Sequence, residues 1–141
     1  DLVQYTLAVD RGNARLADRF STHHPAIVRQ LRHVLKVGQE ADIEVSVCGE
    51  MASEPLSAVL LLGLGFRALS VAPPAIPLMK WVIRNVPEAV ARRAADAAVL
   101  ADRESEVSRA LADAVREHCD PRLVEAFATV PRSGGSASLR P

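Results

Sequence analysis

The sequence has no excess of charge: 17 lysines and arginines balance 17 aspartates and glutamates. No overall field therefore draws it to nucleic acid or to an anionic membrane. It also lacks a membrane-length apolar run. The longest, Ala58–Leu62 with its flanks, is broken by Gly63, Gly65 and Arg67, well short of the roughly 20 residues that a span needs. No basic-apolar-small signal peptide opens the chain. Cysteine is scarce: Cys48 and Cys119 are the only two, and without a secretory signal both read as free thiols of a cytoplasmic protein. No repeat of solenoid length is present. These absences leave an ordinary globular chain with no nucleic-acid partner, no membrane partner and no disulfide framework.

What is present is 141 residues, 49% of them hydrophobic and 24% charged, a composition that suits one soluble domain or a piece of one. The chain opens at Asp1 without a methionine and runs at once into the apolar-rich stretch Leu2 to Val9, so it reads as a segment of a longer protein. Residues 131–141, with Ser133, Gly134, Gly135, Ser136 and Ser138, have little to bury against their ordering entropy and are expected to form a disordered tail.

Between these ends the periodicity alternates. Pro25 follows Ser21 and Thr22, and Ile27, Val28, Leu31, Val34 and Leu35 recur at spacings of three and four, which predicts an amphipathic helix to about Gly38. From Asp42 to Cys48 strict alternation sets Ile43, Val45 and Val47 on one face and Glu44, Ser46 and Cys48 on the other, a strand pattern. Glu54 to Leu64 predicts a helix with almost no polar face, one that must be buried on several sides. Ala68 to Ala72, stopped by Pro73 and Pro74, suits a second buried strand, and a third helix is expected over Ala75 to Arg84. Strand starts about 26 residues apart with a helix between them fit a parallel crossover. Beyond Asn85, which can cap, alanine-rich Ala89–Ala101 and then Glu104–Glu117 predict outer helices or an interaction surface, with a short last turn through Phe127. The expected divisions are thus residues 1–85, 86–130 and 131–141.

A lone cysteine in an apolar strand is more often packing than chemistry. Cys48, however, shares its face with Glu44 and Ser46, and Gly49 follows it, where a missing Cβ lets backbone approach a ligand. Around it the sequence becomes recognisable. Asp1-Leu-Val-Gln-Tyr-Thr-Leu-Ala-Val-Asp10-Arg11-Gly12-Asn13 and Val47-Cys48-Gly49-Glu50-Met51-Ala52 resemble, in order, the signatures of the phosphoenolpyruvate-protein phosphotransferases. Gly63 to Ala72 is similar to that family's last barrel strand and its approach. The resemblance covers Asp1 to Arg84 and implies an α/β fold, the C-terminal fragment of a (β/α)8 barrel carrying the last parallel strands and helices, followed by extra helices. Gln4-Tyr5 and Ala8 to Asn13 are closer to enzyme I than to pyruvate phosphate dikinase or phosphoenolpyruvate synthase. Arg15 to Arg19 and Gly65-Phe66-Arg67 favour the nitrogen-regulatory type.

The resemblance implies a reaction in which phosphoenolpyruvate phosphorylates an enzyme histidine and then a histidine-containing phosphocarrier protein (HPr or a nitrogen-type homologue), releasing pyruvate. Asp1 matches a magnesium-binding and substrate-site carboxylate, the hard oxygen donor this ion prefers. Arg11 matches an arginine that holds the substrate phosphate through its planar fork. Cys48 matches the acid that protonates enolpyruvate; an ordinary thiol, with a pKa of about 8.5, is protonated at neutral pH. The blander readings are a frayed terminus for Asp1, a loop charge for Arg11, a structural role for Glu50 and a turn for Asp10. His23 and His24, before Pro25, suit a helix start better than a metal. The family's asparagine before Asp1, its second metal carboxylate, its further arginines and its histidine domain have no counterpart here. The activity is therefore expected of a longer parent, itself expected to be a homodimer. The alternatives are a fragment of a dikinase or synthase, and a non-catalytic dimerisation or regulatory module around Met79 and Trp81.

Overall fold

The computed structural model describes residues 1–10, 12, 20–120 and 122. Among them the chain is a mostly helical α/β structure: α1 (Leu2–Leu7), α2 (Pro25–Glu40), β1 (Ser46–Cys48), a 3-10 turn (Glu50–Ser53), α3 (Pro55–Leu64), β2 (Ala68–Ser70), a second 3-10 turn (Pro73–Ala75), α4 (Ile76–Asn85), α5 (Glu88–Leu100) and α6 (Glu104–His118). The two strands pair in parallel, with Ser46 opposite Ala68, Val47 opposite Leu69 and Cys48 opposite Ser70. Helix α3 makes the crossover between them.

Helix α3 forms the centre of the core. Ala58, Val59, Leu60 and Leu61 have lost essentially all contact with solvent, as a helix without a polar face requires. Each such Val or Leu contributes about 1.5–3 kcal/mol by burial. Its principal neighbours are α5 and α6. Ala91, Ala94, Ala95 and Ala98 form the buried face of α5, and Val107, Leu111, Ala114 and Val115 that of α6. Small residues bring α3 and α5 together: a Cβ on Gly63 would lie 2.1 Å from the carbonyl oxygen of Ala91.

Two elements are shorter than their patterns predict. The expected strand from Asp42 begins only at Ser46, because the end of α2 consumes the intervening backbone. Asp42 takes a φ of 56°, and the N–H of Ile43 donates to the carbonyl of Gly38 at 2.8 Å. Ile43, placed by alternation on the inward face, is consequently 64% exposed. The expected strand to Ala72 ends at Ser70, where its three-residue partner ends and two prolines without N–H donors approach. Asn85 also differs from expectation. It closes α4, its side-chain amide donating to the carbonyl of Trp81 at 2.8 Å, while Pro87 occupies the N-cap of α5.

Polar contacts fasten the periphery. Arg29 of α2 donates to the carbonyls of Val99 and Ala101 at 3.2 and 2.7 Å, which satisfies acceptors left open at the end of α5. Glu88 takes hydrogen bonds from Arg67 and Arg92 at 2.8 and 2.9 Å. The hydrogen bond from Arg92, with the charges of Arg67 and Arg92, holds its carboxyl below the usual carboxylate range. That contribution is present above the ordinary carboxyl pKa and is lost as pH falls through the lowered one; for so exposed a cluster it is small and screened by salt. The expected last turn through Phe127 and the tail 131–141 lie outside the described residues.

Replacing Gly63 by Ala should force α3 and α5 apart at the Ala91 carbonyl. The expected loss is about 1–3 kcal/mol, visible as a lower urea midpoint at unchanged slope. A midpoint equal to that of the unaltered chain would refute the close contact.

Candidate functional site

Cys48 closes β1, at the C-terminal end of the strand. Alternation places it as the sequence predicts: Ser46 and Cys48 are exposed while Val45 and Val47 are half-buried. The chain then turns sharply through Gly49, whose φ of 90° and ψ of −167° belong to a region open essentially to glycine alone. A Cβ there would meet nothing within 4 Å, so it is the backbone conformation, not crowding, that calls for glycine. The turn leads into the 3-10 segment Glu50–Ser53, anchored by buried Met51 and Ala52.

Behind this turn lies a polar cleft of about 220 Å³ lined by Ser21, Thr22, His23, Glu50, Glu54 and Glu104 among others. His23 is 6% exposed. Its Nε2 lies 3.0 Å from Ser57 Oγ of α3, and its Nδ1 3.2 Å from Ser108 Oγ of α6. Ser57 donates to Glu54 Oε2 at 2.8 Å and Thr22 donates to the same oxygen at 3.3 Å. Ser21 donates to Glu104 Oε1 at 2.5 Å. His24, beside it, accepts from the N–H of Ala26 through Nδ1 at 3.2 Å and so caps α2. This cluster was not legible in the residues, apart from one signal. Ser57 sits inside an apolar run with no polar face, where a hydroxyl must find a partner.

The other predicted site residues divide. Asp1 is exposed at the N-cap of α1, and its carboxylate makes no cap hydrogen bond. Asp10 forms the turn expected of it, its Oδ1 accepting from the N–H of Gly12 at 2.8 Å. Arg11 lies outside the described residues. Among the described residues no group of three His, Cys, Asp or Glu is arranged to hold a metal ion, and no helix is long and apolar enough to cross a membrane. Cys119 is buried, and desolvation raises its thiol pKa.

A parallel β-α-β unit with an exposed thiol at a strand's C-terminal end is an arrangement shared with α/β proteins whose sites lie at strand ends. The chain belongs to the PEP-utilising enzymes: the model of their PEP-binding domain matches residues 1–87. It is 42% identical over 85 residues to the phosphoenolpyruvate-protein phosphotransferase of Borreliella burgdorferi, covering 60% of this chain and 15% of that protein. It is 36% identical over 112 residues, 79% of this chain and 15% of the relative, to an Escherichia coli protein named phosphoenolpyruvate-dependent phosphotransferase system. It is 41% identical over 83 residues to the phosphoenolpyruvate synthase of Pyrococcus furiosus, 59% of this chain and 10% of that enzyme. The chain thus spans between a tenth and a sixth of the length of these relatives.

The two thiols should react very differently. In the folded chain at pH 8, iodoacetamide should label exposed Cys48 at least about tenfold faster than buried Cys119, with the difference abolished in urea. Equal labelling rates without denaturant would show that the strand end is not arranged as described.

Proposed function

We propose that the chain forms part of a phosphoenolpyruvate-protein phosphotransferase of the nitrogen-regulatory type and that Cys48 is its proton donor to enolpyruvate. The observation that carries this reading is an exposed thiol at the end of β1, followed at once by the Gly49 turn, within the residues matched by the PEP-binding family model. The E. coli relative, named for the phosphoenolpyruvate-dependent phosphotransferase system, supports the assignment over 79% of the chain. In this reading β1 and β2 are the last strands of a (β/α)8 barrel whose remaining strands lie in the longer protein.

The phosphoryl group leaves phosphoenolpyruvate for an enzyme histidine outside this chain and passes to a histidine-containing phosphocarrier. The Cys48 S–H then gives its proton to the methylene carbon of enolpyruvate as the enolate oxygen becomes a carbonyl, so that pyruvate forms and solvent reprotonates the thiolate. Arg11 holds the substrate phosphate through a charge-assisted fork. Asp1 is the described residue that would hold a magnesium ion, its exposed carboxylate being a hard oxygen donor, and the ion would supply positive charge against the substrate phosphate. The parent is read as a cytoplasmic homodimer. The P. furiosus match favours a second reading, a phosphoenolpyruvate synthase segment, in which Cys48 performs the same proton transfer.

Two outcomes are expected in the full-length protein. Cys48→Ala should abolish most pyruvate methyl-proton exchange, a loss of about 10²–10⁴-fold, while single-turnover histidine phosphorylation by phosphoenolpyruvate persists. Normal methyl exchange in a folded Cys48→Ala protein removes Cys48 from the mechanism. Arg11→Ala should weaken phosphoenolpyruvate binding by on the order of 1.5–3 kcal/mol, measured by calorimetric titration, and an unchanged affinity refutes the phosphate role.

A further inference from the structure

We infer that His23 is a positioning residue through which helix α6 holds the turn that follows Cys48. The inference rests on the reading of Cys48 as proton donor and extends it to residues beyond the matched PEP-binding segment, which ends at residue 87.

The hydrogen-bond directions determine one another. Ser57 has one hydroxyl proton, and it is donated to Glu54 Oε2 at 2.8 Å. Towards His23, Ser57 Oγ can therefore only accept, so the imidazole carries its proton on Nε2, 3.0 Å away. In the neutral ring Nδ1 is then an acceptor, and Ser108 must donate to it across 3.2 Å. The result is one directed relay, from Ser108 of α6 through His23 and Ser57 of α3 to the carboxylate of Glu54.

Glu54 is where the relay meets the site. It stands at the end of the 3-10 segment, and its N–H donates to the carbonyl of Met51 at 3.3 Å. Thr22 binds the same carboxylate oxygen, and Ser21, one residue earlier, binds Glu104 in the first turn of α6. The segment before α2, the turn after Cys48 and the start of α6 are thus tied together around buried His23 and Ser57. His23 makes the connection because a ring with two opposed nitrogens can bridge two hydroxyls on different helices. Losing one end leaves a buried nitrogen unpaired, which costs more than the hydrogen bond alone contributes.

The test uses Ser108→Ala in the full-length protein, far from the reacting atoms in sequence and on the last described helix. Amide hydrogen exchange over residues 49–54 should rise about fivefold. Pyruvate methyl-proton exchange should fall about fivefold with no change in its apparent KM, while single-turnover histidine phosphorylation is unaltered. Ser108→Thr, which keeps the hydroxyl, should restore both measurements. Leu111→Ala, which weakens α6 packing without touching the relay, should lower both half-reactions together through loss of folded protein. Unchanged amide protection over 49–54 in Ser108→Ala overturns the inference. So does an equal loss of both half-reactions that Ser108→Thr fails to rescue. Should Cys48→Ala show normal methyl exchange, the reading of Cys48 falls by itself, and the amide exchange still decides whether α6 holds the turn.

Discussion

Helix α3 carries Val59, Leu60 and Leu61 on consecutive positions, which point to different sides of a helix, and all three are buried. No single partner surface can cover such a helix. Its coverage recruits α5, α6, α4 and the 3-10 turn that precedes it. The alanine face of α5 follows from the same requirement. With Gly63 against the Ala91 carbonyl, the two backbones approach so closely that larger residues on α5 would hold them apart. The helices after residue 87 are therefore packed into the same core as the matched family segment.

Burying a helix this completely makes any polar group on it costly unless it is paired. Ser57, with no exposed surface, is the one serine inside that run, and its pairing with Glu54 and His23 draws polar groups from three other parts of the chain into contact. No buried side-chain nitrogen or oxygen among the described residues lacks a partner. The polar cleft is thus a consequence of the apolar core: its members are in register because α3 is immobilised by packing, and they in turn hold the turn that follows β1.

The strands contribute little hydrogen bonding, three residues each, but they set direction. A parallel pair joined by α3 puts both C-terminal ends on the same side, so Cys48 and Ser70 face one another in register. The Gly49 turn follows at once, in a backbone conformation that leaves open space where a Cβ would stand. Direction comes from the strand, exposure from the strand's end, and anchoring of the following turn from its buried Met51 and Ala52.

Much of this was legible in the residues. Helical periodicity located α2, α3 and α6 to within a few positions, and alternation put Cys48 on the exposed face of β1, because burial of one face writes its period into the sequence whatever the neighbours are. Strand lengths were not legible: Asp42 and Ile43 alternate correctly, yet their backbone groups are taken by the end of α2, a competition that period two cannot reveal. The motif around Cys48 and the balance of charge were likewise properties of the chain alone. The contact of His23 with Ser57 and Ser108, 34 and 85 residues away, was decided only by the tertiary structure. A histidine or serine has no periodic signature, and its role is set by whichever polar group the packing of the apolar helices brings within hydrogen-bond distance.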